Sequence, residues 1–527
     1  MENKSQAGNA GRSLNFRQIV ASNDQVWMAL LAAGWLALLT IIGLAGSWTY
    51  GFHRDELNFI YNAMNLDWGY VEYPPLTPLL ARGLIAIFGV SSIAMKFTAS
   101  LAIAIAVWLT GVMTRSLGGK RPAQALAMVC TAIAPLTVTN TRFFSYQTFD
   151  LLWWVLATYL IIRLVQSNDP RWWLAVGVVL GLGVMNKYSL PFLVVGIAAG
   201  VILTPLRSHL KSPWLWAGAV LAGLILLPNV IWMAQRNWIT LEFQSVTRAR
   251  NIALGRTDNF LLQQLYSCTN PASVPLWFGA LYVLFFKPEG KPYRILGWIY
   301  LVTLLLFMDA HGRFYYTSGL YPMLFAVGAS LWIRIPYEKG MSIRQFWDRL
   351  DTGSRIFYPS LVFWGLLFSF VLLPFTPIDS ALWRFESDIN PEIREEIGWP
   401  EQVKEVARIY SVLPEADKSR TAVFAGNYGE AGALYLFGPE YGLPAPISGI
   451  NTFWLKGYGN PPPEILIIVG VTREDVEGAF SECVLSGHTP NPHNISNEET
   501  REHPDIFTCK NLRFTWPDFW KKARVFG

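Results

Sequence analysis

Gly51-Phe-His-Arg-Asp-Glu-Leu57 follows directly on the first apolar run long enough to cross a bilayer. It sets Asp55 and Glu56 side by side where a spanning helix would leave the hydrocarbon, and Trp68-Gly-Tyr-Val-Glu-Tyr-Pro-Pro75 comes soon after. Adjacent carboxylates at such a surface are costly to hold unless they bind or catalyse something. A solvated helix cap beside Arg54 is the plainer use of the pair. The reading works outward from this point, where a membrane helix delivers an acidic motif to its outer end.

Composition agrees with a membrane setting. The chain has 527 residues, 52% of them hydrophobic and 15% charged, with a mean hydropathy of +0.30. Such a balance excludes a disordered or ordinary soluble protein and indicates a polytopic membrane protein. The formal charge of +5 is spread over many loops, so no nucleic acid partner is implied. Trp, Tyr and Phe are abundant, and most of them serve interface belts and packing.

Apolar runs of about 17–22 residues give roughly eleven spans. They fall near 26–46, 92–114, 122–139, 147–165, 171–187, 188–206, 213–233, 271–286, 294–309, 315–334 and 355–374. With residues 1–25 (Lys4, Arg12 and Arg17 among them) as a cytoplasmic tail, Arg115, Lys120, Arg121, Arg163, Arg171, Arg207 and Lys211 all fall on the inner side. So do Lys287, Lys291, Arg294, Arg334, Lys339, Arg344, Arg349 and Arg355, as the positive-inside rule requires. The first run reads as a spanning anchor, because it exceeds a signal-peptide core.

The outer side then receives loop 47–91, the stretch around Arg142, loop 234–270 and everything from 375 to 527. Leu79–Val90 is apolar but too short to span, which places it at the interface or against the bundle. Loop 234–270, with Arg236, Arg248, Arg250 and Arg256, reads as a partly helical flap. From about 375 the pattern is that of a soluble α/β domain. Thr421–Ala425 and Glu464–Val469 read as buried strands followed by helical patterns. Cys483 and Cys509 both lie there, on the oxidising side, where they can form a disulfide. Cys130 sits in mid-span as packing, and the six histidines show no metal-ligand spacing.

Ionisable groups gather at the outer ends of spans: Asp55, Glu56, Glu72, Arg142, Asp150, Lys187, Asp309 and Arg313. A transporter would place charges near the midplane, whereas an enzyme acting on a lipid-anchored substrate needs them at headgroup depth. Structural alternatives stand beside each: snorkelling for Lys187, an interface anchor for Arg313, and an Arg142 pair for Asp150. Gly426-Asn-Tyr-Gly-Glu430 reads as an anion-binding turn, with Asn427 and Glu430 in support, or simply as a turn.

At Gly51–Pro75 the chain resembles the integral-membrane GT-C glycosyltransferases that use polyprenyl-phosphate sugars. The likeness is greatest to bacterial members related to protein O-mannosyltransferases and the lipid A aminoarabinose transferase. Gly181-Leu-Gly-Val-Met-Asn-Lys-Tyr-Ser189, Arg313-Phe-Tyr-Tyr-Thr-Ser-Gly-Leu-Tyr-Pro322 and Phe424-Ala-Gly-Asn-Tyr-Gly-Glu-Ala-Gly-Ala433 carry it over most of the chain. The resemblance implies a GT-C transmembrane catalytic region over 26–374, a periplasmic unit over 375–527 and a place in a bacterial inner membrane.

It also implies an inverting transfer from a polyprenyl-phosphate sugar to a periplasmic acceptor, whether lipid A, polysaccharide or protein. The acidic catalytic motif falls on Asp55 and Glu56, and the donor-side element on Glu72-Tyr73-Pro74-Pro75. Tyr73 replaces the family's Lys, so Lys187 or Arg313 must supply the cation. The donor-phosphate tyrosine falls on Tyr315 or Tyr316, with Tyr316 preferred, and a phosphate arginine on Arg248 or Arg250. Asp55 acts as base and the cations receive the leaving phosphate. A single phosphate needs no obligatory metal; Glu72 or Glu56 would ligate a divalent ion if one binds. A flippase of lipid-linked sugar and a non-catalytic envelope-binding protein are the alternative functions.

Overall fold

In the computed structural model, residues 23–332, 341–373 and 375–527 are described. Lys4, Arg12 and Arg17 of the tail, and Arg334 and Lys339 of a loop expected on the inner side, lie outside them. Among the described residues six helices are long and apolar enough to cross a membrane: Asp24–Ala45, Ser92–Ser116, Tyr146–Ser167, Pro213–Gln235, Pro288–Asp309 and Thr352–Leu372. Ser92–Ser116 and Tyr146–Ser167 form the centre, with 72% and 67% of their apolar windows buried. Thr352–Leu372, at 11%, exposes nearly all of its apolar surface, as a lipid-facing helix does.

Six of the eleven expected spans are thus unbroken helices of membrane length, or seven if the bent pair Leu190–Ile202 and Pro205–Lys211 is one span. The remaining five runs form helices at the predicted places, but short or broken ones. Run 122–139 divides into Arg121–Ala132 and Pro135–Thr139, because a proline supplies no amide to continue the ladder. Leu190–Ile202 bends by 103° into Pro205–Lys211, again at a proline. Trp172–Val184 has 13 residues, and Pro271–Phe286 is likewise short. Run 315–334 winds successively as Phe314–Leu320, Tyr321–Val327 and Gly328–Trp332 with different helical pitches.

Two helices occupy loop 47–91: Arg54–Met64, here the site helix, and the apolar Leu76–Phe88. Loop 234–270 is helical over Ile239–Ala253 and Phe260–Tyr266, as the flap reading expected. Beyond Thr352–Leu372 the chain forms Ala381–Ile389, the tight turn Pro391–Glu396 and helix Trp399–Ser411. An α/β unit follows. Its sheet has the order β1-β2-β4-β3, with β1 at Thr421–Ala425, β2 at Ile465–Val469, β3 at Phe480–His488 and β4 at Asp505–Leu512. The β1–β2 pair is parallel and the other pairs antiparallel. Strands β1 and β2 match the sequence reading; β3 and β4 were not foreseen, since β3 is largely exposed and lacks a buried run. Cys483 and Cys509 face each other across β3 and β4 and are bridged.

The α/β unit sits directly on the site helix through helix Tyr428–Phe437, here the docking helix. Leu57 and Tyr61 belong to the same buried cluster as Val423, Ala431, Leu434 and Phe453. Tyr61 stacks on Phe453 with centroids 3.7 Å apart. A Cβ at Gly432 would lie 2.8 Å from Leu57 Cβ and 3.0 Å from its carbonyl carbon and oxygen. Only glycine permits that approach of the two backbones.

Candidate active site

The site helix begins where it does because His53 caps it. The Nδ1 of His53 accepts the Asp55 amide at 3.2 Å, and Glu56 Oε2 accepts the His53 amide at 2.9 Å, a reciprocal capping box. Glu56 is fully buried, and its other oxygen takes the Phe144 amide at 2.7 Å. Burial pushes its carboxyl up to about 6, against the pull of Lys96 and the Phe144 amide. This changes the reading of the motif: Glu56 is committed to fixing backbone, and Asp55 is the carboxylate left at the surface. Asp55 is half-buried, with Oδ1 accepting the Tyr428 hydroxyl at 3.0 Å.

Glu72 lies behind it. Its Oε1 accepts from Asn58 at 2.9 Å and Asn62 at 3.3 Å, and its Oε2 from the Thr452 hydroxyl at 2.6 Å. Burial raises its pKa despite these bonds. Tyr73 is buried, its hydroxyl accepting from Asn62 at 2.6 Å. Among the described residues no group of three or more His, Cys, Asp or Glu converges as metal ligands.

The cations expected at the donor phosphate come together with aromatic rings. Lys187 Nζ lies 4.7 Å from the Tyr316 ring centroid, 5.3 Å from Tyr315 and 5.4 Å from Tyr146. The Arg313 guanidinium is 4.9 Å from the Tyr315 ring. Tyr146 joins this cluster to the site helix, its ring centroid lying 5.7 Å from those of Phe59 and of Tyr73. Lys187, Arg313, Tyr315, Tyr316 and Tyr146 thus cluster against Phe59 of the site helix, the helix that carries Asp55.

Other expectations separate from it. Asp150 pairs with Lys187 at 3.5 Å, accepting also from Ser189 at 2.8 Å and Trp154 at 2.9 Å, so the predicted Arg142 pair is corrected. Arg142 is fully buried and faces Glu396 at 3.4 Å. Asn427 and Glu430 form the docking helix's own capping box, and the Asn427 side-chain amide also donates to Glu499 at 3.1 Å; they serve as the helix-opening turn, the plainer of the two sequence readings. Arg248 is exposed, while Arg250 donates to the Phe526 carbonyl at 2.9 Å. Among the described residues neither arginine makes a hydrogen bond or cation–π contact with the Lys187 cluster.

The sequence reading passed over Tyr428, Thr452, Tyr146 and the glutamates around Arg54. Arg54 meets Glu395 at 3.3 Å, Glu498 at 2.9 Å and Glu499 at 3.7 Å. Burial pushes Glu395 up to about 7 in spite of Arg54. Burial and the nearby Glu499 push Glu430 up to about 8. Tyr428 had a signal, standing within the motif Phe424–Ala433; Thr452 and the glutamates had none, being hundreds of residues from their partners.

Known proteins are similar to this chain in sequence or in fold. Residues 72–232 match the family model for dolichyl-phosphate-mannose-protein mannosyltransferases. The lipid A galacturonosyltransferase RgtD of Rhizobium johnstonii is 27% identical over 193 residues, which are 36% of this chain and 40% of that protein. The chain therefore matches less than half the length of this relative. Two crystal structures of ArnT from Cupriavidus metallidurans have the same fold at 13% identity. The one bound to undecaprenyl phosphate gives a TM-score of 0.53 over 92% of this chain and 97% of that one. The apo structure gives 0.54 over 91% and 98%. The likeness to GT-C membrane glycosyltransferases read from the sequence is borne out, and the fold is shared over nine-tenths of the chain.

Proposed function

We propose that this chain is an inverting glycosyltransferase that moves a sugar from a polyprenyl-phosphate carrier to a hydroxyl acceptor on the periplasmic side of a bacterial inner membrane. The observation that carries the proposal is the half-buried Asp55 on the site helix, against which packs a cation and tyrosine cluster of Lys187, Arg313, Tyr315, Tyr316 and Tyr146 at the ends of apolar helices. That arrangement supports a base on one side of a reacting sugar and phosphate-binding groups on the other.

In this mechanism Asp55 takes the proton of the acceptor hydroxyl as its oxygen bonds to the anomeric carbon. The bond from that carbon to the phosphate oxygen breaks in the same displacement, which inverts the anomeric centre. Lys187 and Arg313 stabilise the charge gathering on the lipid phosphate, and the Tyr315 and Tyr316 hydroxyls can donate to it. Glu72, held by Asn58, Asn62 and Thr452, keeps the loop behind Asp55 in shape. The acceptor is lipid A, a polysaccharide or a protein; the partial match to the lipid A galacturonosyltransferase RgtD supports lipid A among them.

The test is transfer by the purified protein in lipid nanodiscs, supplied with radiolabelled polyprenyl-phosphate sugars and a cell-envelope extract, beside Asp55→Asn. Labelling of an acceptor that disappears in the variant is the expected result. Full transfer by Asp55→Asn sinks the mechanism. Donor crossing the bilayer without transfer turns the assignment to a flippase.

A further inference from the structure

The C-terminal α/β unit and the turn leading into it hold the acidic motif residue by residue. Gly51 adopts φ +132°, and a Cβ there would stand 2.6 Å from the Glu396 carbonyl oxygen. Lys96, fully buried, donates to the Ser47 and Gly51 carbonyls at 3.0 and 2.9 Å and to Glu396 Oε2 at 2.6 Å. Glu392 approaches His53 Nε2 at 3.7 Å and Glu395 meets Arg54 at 3.3 Å. Three glutamates of turn Pro391–Glu396 therefore hold this segment: Glu392 at His53, Glu395 at Arg54, and Glu396 through Lys96 at Gly51.

The same helical turn is held from its other side. Glu498 and Glu499, between β3 and β4, close on Arg54, whose guanidinium also lies 5.2 Å from the Tyr428 ring centroid. The Tyr428 hydroxyl then donates to Asp55 Oδ1. Among the described residues, Oδ2 takes no hydrogen bond, so the carboxylate is oriented by one oxygen and open at the other. A tether joining a domain to a bundle needs none of this direction; a general base does, because small errors in its placement are costly in rate.

We infer that the C-terminal part of the chain is built into the reaction centre, with Tyr428 positioning the Asp55 carboxylate and Glu392 and Glu395 fixing the turn on which it stands. This rests on the transferase reading given above. Tyr428 acts through Asp55 as a hydrogen-bond donor, and burial together with the Asp55 charge raises the pKa of its hydroxyl, which keeps the proton in place. Glu392 and Glu395 act one step further back, through His53 and Arg54.

The experiment compares full-length wild type, Tyr428→Phe and the double variant Glu392→Gln/Glu395→Gln in nanodiscs. Steady-state transfer is measured against donor and against pH, with thermal unfolding of each protein alongside. Tyr428→Phe is expected to lower kcat about tenfold to a hundredfold, with donor KM within about twofold. Its acidic rate limb should move to higher pH, because the ionised base has lost a donor. The double variant should lower kcat similarly at unchanged donor KM. Wild-type kcat and pH profile in Tyr428→Phe overturn the inference while leaving the transferase reading intact. So does a fall in kcat that merely follows a fall in melting temperature. Absence of transfer by wild type from every donor overturns both.

Discussion

Asp55 and Glu56 are neighbours in the chain, yet the helix start gives them opposite surroundings. At the third helical position Glu56 turns back to its own N-cap and to the Phe144 amide, while Asp55 turns toward Tyr428. Removing Glu56 leaves two buried amides without acceptors, which costs about 1–3 kcal/mol for each orphaned group. Glu56→Ala is therefore expected to lower the melting temperature by several degrees, and Glu56→Gln, which can still accept, by less. Thermal unfolding in detergent measures this, with Asp55→Asn as the contrast expected to lose turnover and keep stability. The motif itself was legible because its parts are contiguous and its acids sit at a membrane exit. The division of labour was not, since capping depends on a rotamer and on Phe144, brought close only by the fold.

Among the secondary elements, the contact between the site helix and the docking helix carries most of the consequence. Glycine to alanine inside a helix ordinarily gains up to about 1 kcal/mol from propensity. At Gly432 the added methyl meets Leu57 side chain and backbone at 2.8–3.0 Å, and overpacking of this kind costs about 1–3 kcal/mol. The steric effect is larger, so Gly432→Ala should be destabilising; limited proteolysis, which reports undocking of the α/β unit, decides the sign. The carboxylates around Arg54 add a pH dependence. Glu395 at about 7 and Glu430 at about 8 both stand above the ordinary 4.5, so the folded state binds more protons than the unfolded one between these values. Their stabilising contribution is fully present below about 4.5 and is lost as pH rises through 7 to 8. The melting temperature should therefore fall from pH 5 to pH 8.5. Glu430→Gln should flatten the slope, since glutamine keeps the capping geometry without the charge; an unchanged slope removes Glu430 from the account.

Across the whole molecule, the plan of a helical bundle with long connecting loops and a C-terminal α/β unit was legible from apolar run length and strand pattern. The number of unbroken spans was not, because hydropathy counts apolar residues and cannot weigh what Pro135 and Pro205 do to a ladder. Long-range pairs such as Tyr428–Asp55 were equally out of reach, for no local pattern encodes a contact across 373 residues. The Cys483–Cys509 bridge shows how one covalent link connects these scales. It closes a segment with a sequence separation of 26, and that segment carries Glu498 and Glu499 to Arg54. A closed loop of this length contributes about 3 kcal/mol by restricting the unfolded chain. The bridge joins β3 and β4, whereas the apolar bundle is a separate buried cluster. Cys483→Ser/Cys509→Ser should accordingly unfold the α/β unit first and leave the bundle's melting unchanged. Transfer should then fail at a lower temperature than helix content, with the two curves separating by several degrees in the variant and lying closer in wild type. Parallel activity and circular dichroism scans measure the gap. Coincident loss of both signals in the variant would mean that the α/β unit and the bundle unfold as one body.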